Sequence, residues 1–353
     1  MLRRVPFTLL MVLSFFILVV GCKHAEPMGR SNDSKNQSEI VSLSVSGREQ
    51  ASVLVRQTGE VKLTTDGGQT WQVVPVANVG DDIEFAKMID AKRGWVANRR
   101  GQVFRTDSGG LNWIPVAGLK DITGIAQIEF ANENDGWMRE FLSIWRTQDG
   151  GFTWRETIST VTPGVHGQPS GMFVIDANTV AVSGSGGQFY MTKDGGQTWK
   201  INIPMPVDNI DFSDVWFENK EHGWLSGTQI IIAGESSRPI LLETTDGGDT
   251  WKELIVNVDV SPRSICFVGD RGWLTGTRRI VNDRSVELRG VFLKTKDGGK
   301  SWTPVLFDTE TNFFSRVRFA DKMHGWLVGS DRLYRTDDAG DNWQQKLSVN
   351  PAQ

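Results

Sequence analysis

An all-β chain wound into a seven-bladed β-propeller, with four antiparallel strands per blade, is predicted by three features of the 353-residue sequence. First, a Thr, an Asp two residues on, a Gly two further and a Trp three beyond recur in one frame. The copies are Thr64/Asp66/Gly68/Trp71, Thr147/Asp149/Gly151/Trp154, Thr192/Asp194/Gly196/Trp199, Thr244/Asp246/Gly248/Trp251, Thr295/Asp297/Gly299/Trp302 and Thr336/Asp338/Gly340/Trp343, with Thr106/Ser108/Gly110/Trp113 as a degenerate seventh. Second, these tryptophans lie 42, 41, 45, 52, 51 and 41 residues apart, the period of a unit that must stack on its neighbours to bury its faces. Third, an apolar run, a polar turn and Gly-Trp recur upstream: Phe85 to Gly94/Trp95, Phe130 to Gly136/Trp137, Phe217 to Gly223/Trp224, Phe267 to Gly272/Trp273 and Phe319 to Gly325/Trp326.

These signatures place four strands in each repeat. The Phe lies on the first strand, and the Trp of Gly-Trp heads the second. The β-prone run into Thr, such as residues 332–336, is the third strand, and the run after the motif Trp, such as 71–76, is the fourth. The Asp motif is then the hairpin turn between strands three and four. Blade four lacks Gly-Trp and uses residues 178–180 instead. Radial repetition of such sheets leaves only short edges exposed.

The residue types of the turn have a physical reason. An Asp in a tight turn accepts hydrogen bonds from backbone N–H groups just after it, Gly adopts backbone conformations closed to residues with a Cβ, and the Trp ring locks the turn onto the blade. Asp66, Asp149, Asp194, Asp246, Asp297 and Asp338 therefore read as structural. One carboxylate per turn, on separate blades, does not gather the six to eight oxygens calcium takes. Ser108 fits the same reading, because a hydroxyl caps a turn but ligates metal poorly. No metal and no cofactor are expected.

The first 21 residues read as a signal peptide. Arg3 and Arg4 precede an apolar stretch over 5–20, and Val19, Val20, Gly21 and Cys22 follow. This resembles the lipobox of bacterial lipoproteins, which implies cleavage before Cys22, a diacylglycerol on its sulfur, and export to the periplasmic or extracellular face of a bacterial membrane. The alternative is an uncleaved transmembrane anchor, for which about 20 apolar residues are needed. Residues 22–38 are polar and aperiodic, a flexible tether, while 39–349 form the propeller and 350–353 a tail. The other cysteine, Cys266, lies on a first strand with no His or Cys at ligand spacing and reads as a small buried hydrophobe. Loss of Arg3 and Arg4 from 38 basic residues leaves 36 against 42 acidic, a net of −6, which offers no electrostatic case for nucleic acid.

The unit Phe319, Asp321, Gly325/Trp326, Val328/Gly329, Arg335/Thr336, Asp338, Gly340 and Trp343 resembles that of the photosystem II assembly and stability factor propellers. The turn alone is shared with the wider Asp-box, or BNR-repeat, class, which includes sialidases, sortilin-like receptors and xyloglucan hydrolases. The resemblance covers roughly residues 39 to 349 and implies a non-enzymatic protein that binds partner polypeptides at a membrane surface and helps assemble or stabilise them; a monomer is expected. The alternative is a sialidase-like or other carbohydrate-active or glycan-binding propeller. Against it, a sialidase-like site would need a Tyr nucleophile with a nearby Glu. The two tyrosines, Tyr190 and Tyr334, sit on third strands where packing is expected, and the Arg-Ile-Pro order is absent, Arg238, Pro239 and Ile240 having another order. His166, in the connection 162–170, reads as a solvated loop residue.

Two places depart from the repeat. From the Gly-Trp tryptophan to the motif Thr the distance is 11 residues in blade two and 10 in blades three and seven, but 20 in blade five and 22 in blade six. Neighbouring blades thus project long hairpins from the face opposite the Asp motifs, and long loops on a rigid scaffold carry binding. Blade six offers Arg278, Arg279, Arg284 and Arg289 against Asp283 and Glu287; blade five offers Ile230, Ile231 and Ile232, then Glu235 and Arg238. These suit a protein interface or anionic head groups; equally, the arginines pair with adjacent acids and the isoleucines extend strands, and alternation sends part of either set inward. Second, the innermost strands carry opposite charge: Asp82, Glu84, Gln127, Glu129 and Asp214 against Arg316 and Arg318. That is either a polar axial pocket or charge pairing around a wet channel.

Overall fold

The computed structural model describes residues 40–349 apart from 57, 77–78, 80–82, 118, 120–121, 123, 233–235, 283–284 and 308–312. The chain forms a seven-bladed propeller. Each of its seven sheets consists of four consecutive antiparallel strands, and no helix occurs among the described residues. The first strands are Ile40–Ser46, Ile83–Met88, Gln127–Phe130, Pro169–Val174, Ile210–Phe217, Ser261–Val268 and Phe314–Phe319. The Asp motifs join third to fourth strands, as between Glu60–Thr64 and Gln72–Val74. Cys22, the tether, the tail, Asp82 and Arg284 lie outside the described residues.

The two sequence signatures meet at the joints between blades. The Gly-Trp tryptophan of one blade stacks on the first-strand Phe of the next: Trp95 on Phe130 at 4.4 Å between centroids, Trp224 on Phe267 at 3.8 Å, and Trp273 on Phe319 at 3.5 Å. The Asp-motif Trp of that next blade meets the same Phe edge-on, Trp154, Trp302 and Trp343 standing 6.1, 6.0 and 6.0 Å away. Stacked and edge-to-face rings both satisfy the aromatic quadrupole while burying large apolar area. A Cβ at Gly272 would stand 2.4 Å from the Phe267 ring, so the residue before the Trp is glycine because the Phe lies on it. At Gly151 φ is +87° and a Cβ would stand 2.6 Å from Trp95 of the preceding blade, so backbone and space both demand glycine.

The ring closes by the same kind of joint, without exchange of a strand. Ile40, Leu43, Ala51 and Val53 pack with Trp326, Val328 and Leu333, and Ile40 N donates to Ser330 O at 3.0 Å. Arg335 crosses the joint to Glu49, with both nitrogen–oxygen distances 2.9 Å, and donates to Gly67 O at 3.2 Å. Arg146 makes the same reach inside the ring, donating to Gly195 O of the next blade at 2.8 Å.

One irregularity sets what faces the axis. In six of the seven blades the first strand carries a one-residue register shift near its start, between Ile40/Ser42, Ile83/Phe85, Pro169/Gly171, Phe212/Asp214, Pro262/Ser264 and Phe314/Arg316; blade three has none. Such a bulge leaves one residue unpaired and reverses which side chains share a face beyond it.

Candidate functional site

The Asp motifs are self-contained turns. Thr244 Oγ1 donates to Asp246 Oδ1 at 2.8 Å and accepts from Gly248 N at 2.9 Å, while that carboxylate accepts from the N–H groups of Asp249 and Thr250 and from the Thr250 hydroxyl. Asp66, Asp149 and Asp194 repeat the pattern with Thr70, Thr153 and Thr198, Asp297 with Ser301, and Asp338 with the Asn342 amide. In the degenerate copy Ser108 Oγ accepts from Asn112 N at 2.9 Å. Both carboxylate oxygens of each turn are thus occupied by the turn itself. The hydroxyl or amide before the Trp, absent from the sequence pattern as first read, completes it.

These bonds hold the carboxyls of Asp66, Asp194 and Asp297 down at about 2, chiefly through the hydroxyls of Thr70, Thr198 and Ser301. Because folding lowers each pKa, their stabilisation is fully present above the unfolded value of 3.8 and drains away as pH falls towards 2. We expect the melting temperature to fall between about pH 4 and pH 2, and less steeply in an Asp66→Asn, Asp194→Asn double variant. Equal slopes in thermal melts of the two proteins would contradict this role.

The long hairpins are formed by Gly223–Ile232 with Ser236–Thr244 and by Arg271–Asn282 with Ser285–Thr295. They wall one side of a funnel of about 1080 Å³, lined on their side by Thr228, Ile230, Arg279 and Val281 and across it by Phe313 and Ser315. Ile230 and Ile231 extend a strand and also remain exposed, as do Val281 and Leu288. Pairing across the blade-six hairpin puts Arg278 with Arg289 and Arg279 with Leu288, so alternation divides the arginines between two faces. The basic patch read from the sequence is therefore split and partly neutralised. Arg278 lies 3.6 Å from Asp259 of the inter-blade connection, Arg289 lies 3.0 Å from Glu287, and Arg238 is paired with Glu253. The side chain of Ile232 lies outside what is described.

On the axial strands lie two cavities of about 180 and 300 Å³, both lined by Ser44, Lys87, Gln127, Glu129 and Arg316. Ser315 lines both the funnel and the smaller cavity, so the hairpin and axial candidates adjoin at that residue. Arg318 Nη1 lies 3.5 Å from Asp214 Oδ2 and donates to Ser264 Oγ at 2.9 Å, and Asp214 also accepts from Ser264 Oγ and Ile265 N. Glu129 pairs with Lys87, which the sequence reading missed. Burial pushes Lys87 down against the pull of Glu129; burial likewise opposes the charge of Glu129, but Lys87, Arg316 and Arg318 together lower the carboxyl.

Glu84, expected on the axis, does not reach it. It is the bulged residue of its strand, it does not line the cavities, and its carboxylate accepts from Gly124 N at 3.1 Å. The bulge hands its place on the axis to Phe85 and Lys87.

The residues weighed for catalysis are packing or loop groups. Tyr190 is buried, donates to Gly167 O at 3.1 Å and has its phenol pushed up to about 12 by burial; Tyr334 is buried as well. Cys266 is fully buried, and desolvation raises its thiol to about 12. His166 is exposed.

Comparison with known proteins agrees with this fold. The family model of the photosynthesis system II assembly factor YCF48 matches residues 69–210 and 201–312. The photosystem II stability/assembly factor HCF136 of Cyanidioschyzon merolae is 24% identical over 310 residues, covering 79% of this chain and 67% of its own. The photosystem II assembly protein Ycf48 of Synechococcus sp. (strain JA-2-3B'a(2-13)) is 28% identical over 300 residues, covering 73% and 86%. Among solved structures, YCF48 bound to D1 peptide aligns with a TM-score of 0.63 at 18% identity over 86% of this chain and 94% of that one. A GH74 xyloglucanase from Xanthomonas campestris aligns at 0.65 and 14% identity, over 88% and 56%; at these identities both show the fold alone. With its repeats, joints and turns matched over more than half its length, the chain belongs to the photosynthesis system II assembly factor YCF48 family.

Proposed function

We propose that this chain is a non-catalytic, membrane-tethered propeller that binds a protein partner and assists its assembly. The observation that carries the reading is the funnel: two neighbouring hairpins, about twice the length of their counterparts, bring exposed Ile230 and Val281 together with Arg279 to its wall. Apolar area beside arginine forks is the composition of a recognition surface. The family membership supports it, since a relative was solved as YCF48 bound to D1 peptide. Tethering through lipid on Cys22 accords with relatives named photosystem II assembly lipoproteins.

Reversing Arg278 and Arg279 to Glu should weaken partner capture from solubilised host membranes by about 2 kcal/mol or more, while altering stability by under about 1 kcal/mol. Reversal of Arg99 and Arg100, in the short blade-two hairpin, is the control for bulk charge. Equal loss in both variants would reduce the effect to nonspecific electrostatics, and no loss in either would remove the site from the hairpins. In the same fractionation, wild-type protein should sediment with membranes and carry palmitate label, and Cys22→Ser should carry none; an unlabelled wild type defeats the lipid anchor.

A further inference from the structure

Among the described residues, the axial channel contains more positive charge than its carboxylates neutralise. Lys87 is taken by Glu129, and Arg318 by Asp214 and Ser264. Arg316 makes no hydrogen bond or ion pair to any described residue, although it lines both cavities at their junction. Strand register brings three successive blades into one arc: Arg316 and Arg318 on blade seven, Ser42 and Ser44 on blade one, Lys87 on blade two.

Ser44 is a second, independent indication. It is 6% exposed, it lines both cavities, and its hydroxyl has no hydrogen-bond partner. An unsatisfied buried hydroxyl costs free energy that a ligand oxygen would recover. Arg139, on the second strand of blade three, adds to the field. Its Nη1 donates to Pro169 O at 3.0 Å and its buried Nε has no partner. Burial and then the charge of Arg316 bring its pKa down to about 10, while Arg316 is itself lowered by burial and by Arg318, the mark of cations crowded in a narrow space.

We propose that the axial channel is a binding site for a small free oxyanion, a phosphate or a carboxylate, held by the Arg316 guanidinium with the Ser44 hydroxyl and flanked by Lys87 and Arg318. A guanidinium fork offers paired N–H donors matched to two oxygens of one such group, and charge-assisted bonds of this kind are the strong ones. The cavities, about 180 and 300 Å³, are small enough to favour a compact anion over a polymer.

The test is calorimetric titration of the detergent-purified full chain with inorganic phosphate, with succinate and with chloride. One equivalent of phosphate or succinate should bind, chloride should not compete at equal concentration, and whichever of the two binds tighter identifies the anion class. Arg316→Gln should weaken binding at least tenfold and abolish the thermal stabilisation the anion confers. Ser44→Ala should weaken it severalfold, and Arg263→Gln, at a residue that lines the funnel but neither cavity, should leave it unchanged. Arg316→Lys, which keeps the charge and loses the fork, should bind with intermediate affinity and serves if the Gln variant does not fold. Equal responses to chloride and phosphate, equal affinity in wild type and the Arg316 variants, or no heat from any anion would each overturn the proposal. Partner capture at the hairpins is read separately, so failure here leaves the assembly reading standing.

Discussion

Trp273→Ala is expected to lower the unfolding free energy by about 3 to 5 kcal/mol, the cost of deleting a large aromatic from a packed interior. Trp273 is 1% exposed, stacks on Phe319 of the next blade with planes 5° apart and donates from Nε1 to Ala339 O at 2.8 Å. Its loss opens a cavity at a joint that is held by side chains and not by strand pairing. In a propeller each blade contacts only its neighbours, so loosening one joint exposes the facing surfaces of two blades. Urea denaturation followed by tryptophan fluorescence, with hydrogen exchange at Phe314–Phe319, is the measurement. A loss under about 1 kcal/mol would mean that the joints do not carry the fold.

Arg335→Ala should cost about 3 kcal/mol, the low end for removing one partner of a buried ion pair, because Glu49 on the other side is half exposed and recovers part of its hydration. The Arg335 side chain is 9% exposed and Glu49 is 52% exposed. Arg335 spans the one joint whose two blades are not consecutive in sequence. Arg146→Ala, at a joint between consecutive blades, removes a like bond to a glycine carbonyl and is expected to cost less. The Arg335 ion pair with Glu49 crosses its joint whereas that of Arg146 with Asp135 stays within one blade, and the closing joint alone must also offset the chain entropy of keeping two distant segments together. Melts of the two variants, with limited proteolysis at the amino-terminal blade, check it. If Arg146→Ala proves as costly as Arg335→Ala, closure is no weaker than any other joint.

Much of the fold was readable from sequence because its signals are local. Every bond of the Asp246 turn, from Thr244 to Thr250, lies within seven residues, so its composition is fixed wherever it occurs. Four strands per repeat followed from the spacing of Phe, Gly-Trp and the turn, and the long hairpins from two simple distances. The candidate site was readable only in part. Arg316, Arg318 and Glu129 do line the cavities and Asp214 stands behind them as the partner of Arg318, but Glu84 was placed on the axis and Lys87 was not, because strict alternation holds only until a bulge, and a bulge leaves no mark in the composition of its strand. The blade-six arginines looked like one patch in sequence, whereas the strand turns Arg278 and Arg279 to opposite faces.

The sequence by itself determined the repeat, the strand count per blade, the chemistry of each turn and the places where the repeat is interrupted. Tertiary structure alone decided who pairs with whom: Lys87 with Glu129, Asp214 with Ser264 and Arg318, Glu49 with Arg335 across 286 positions of sequence. The physical reason is range. A turn's hydrogen bonds are set by backbone geometry within a few residues, whereas side chains from separate blades meet only after the ring has closed, where burial, bulges and the unpaired charge of Arg316 are fixed by packing rather than by order along the chain.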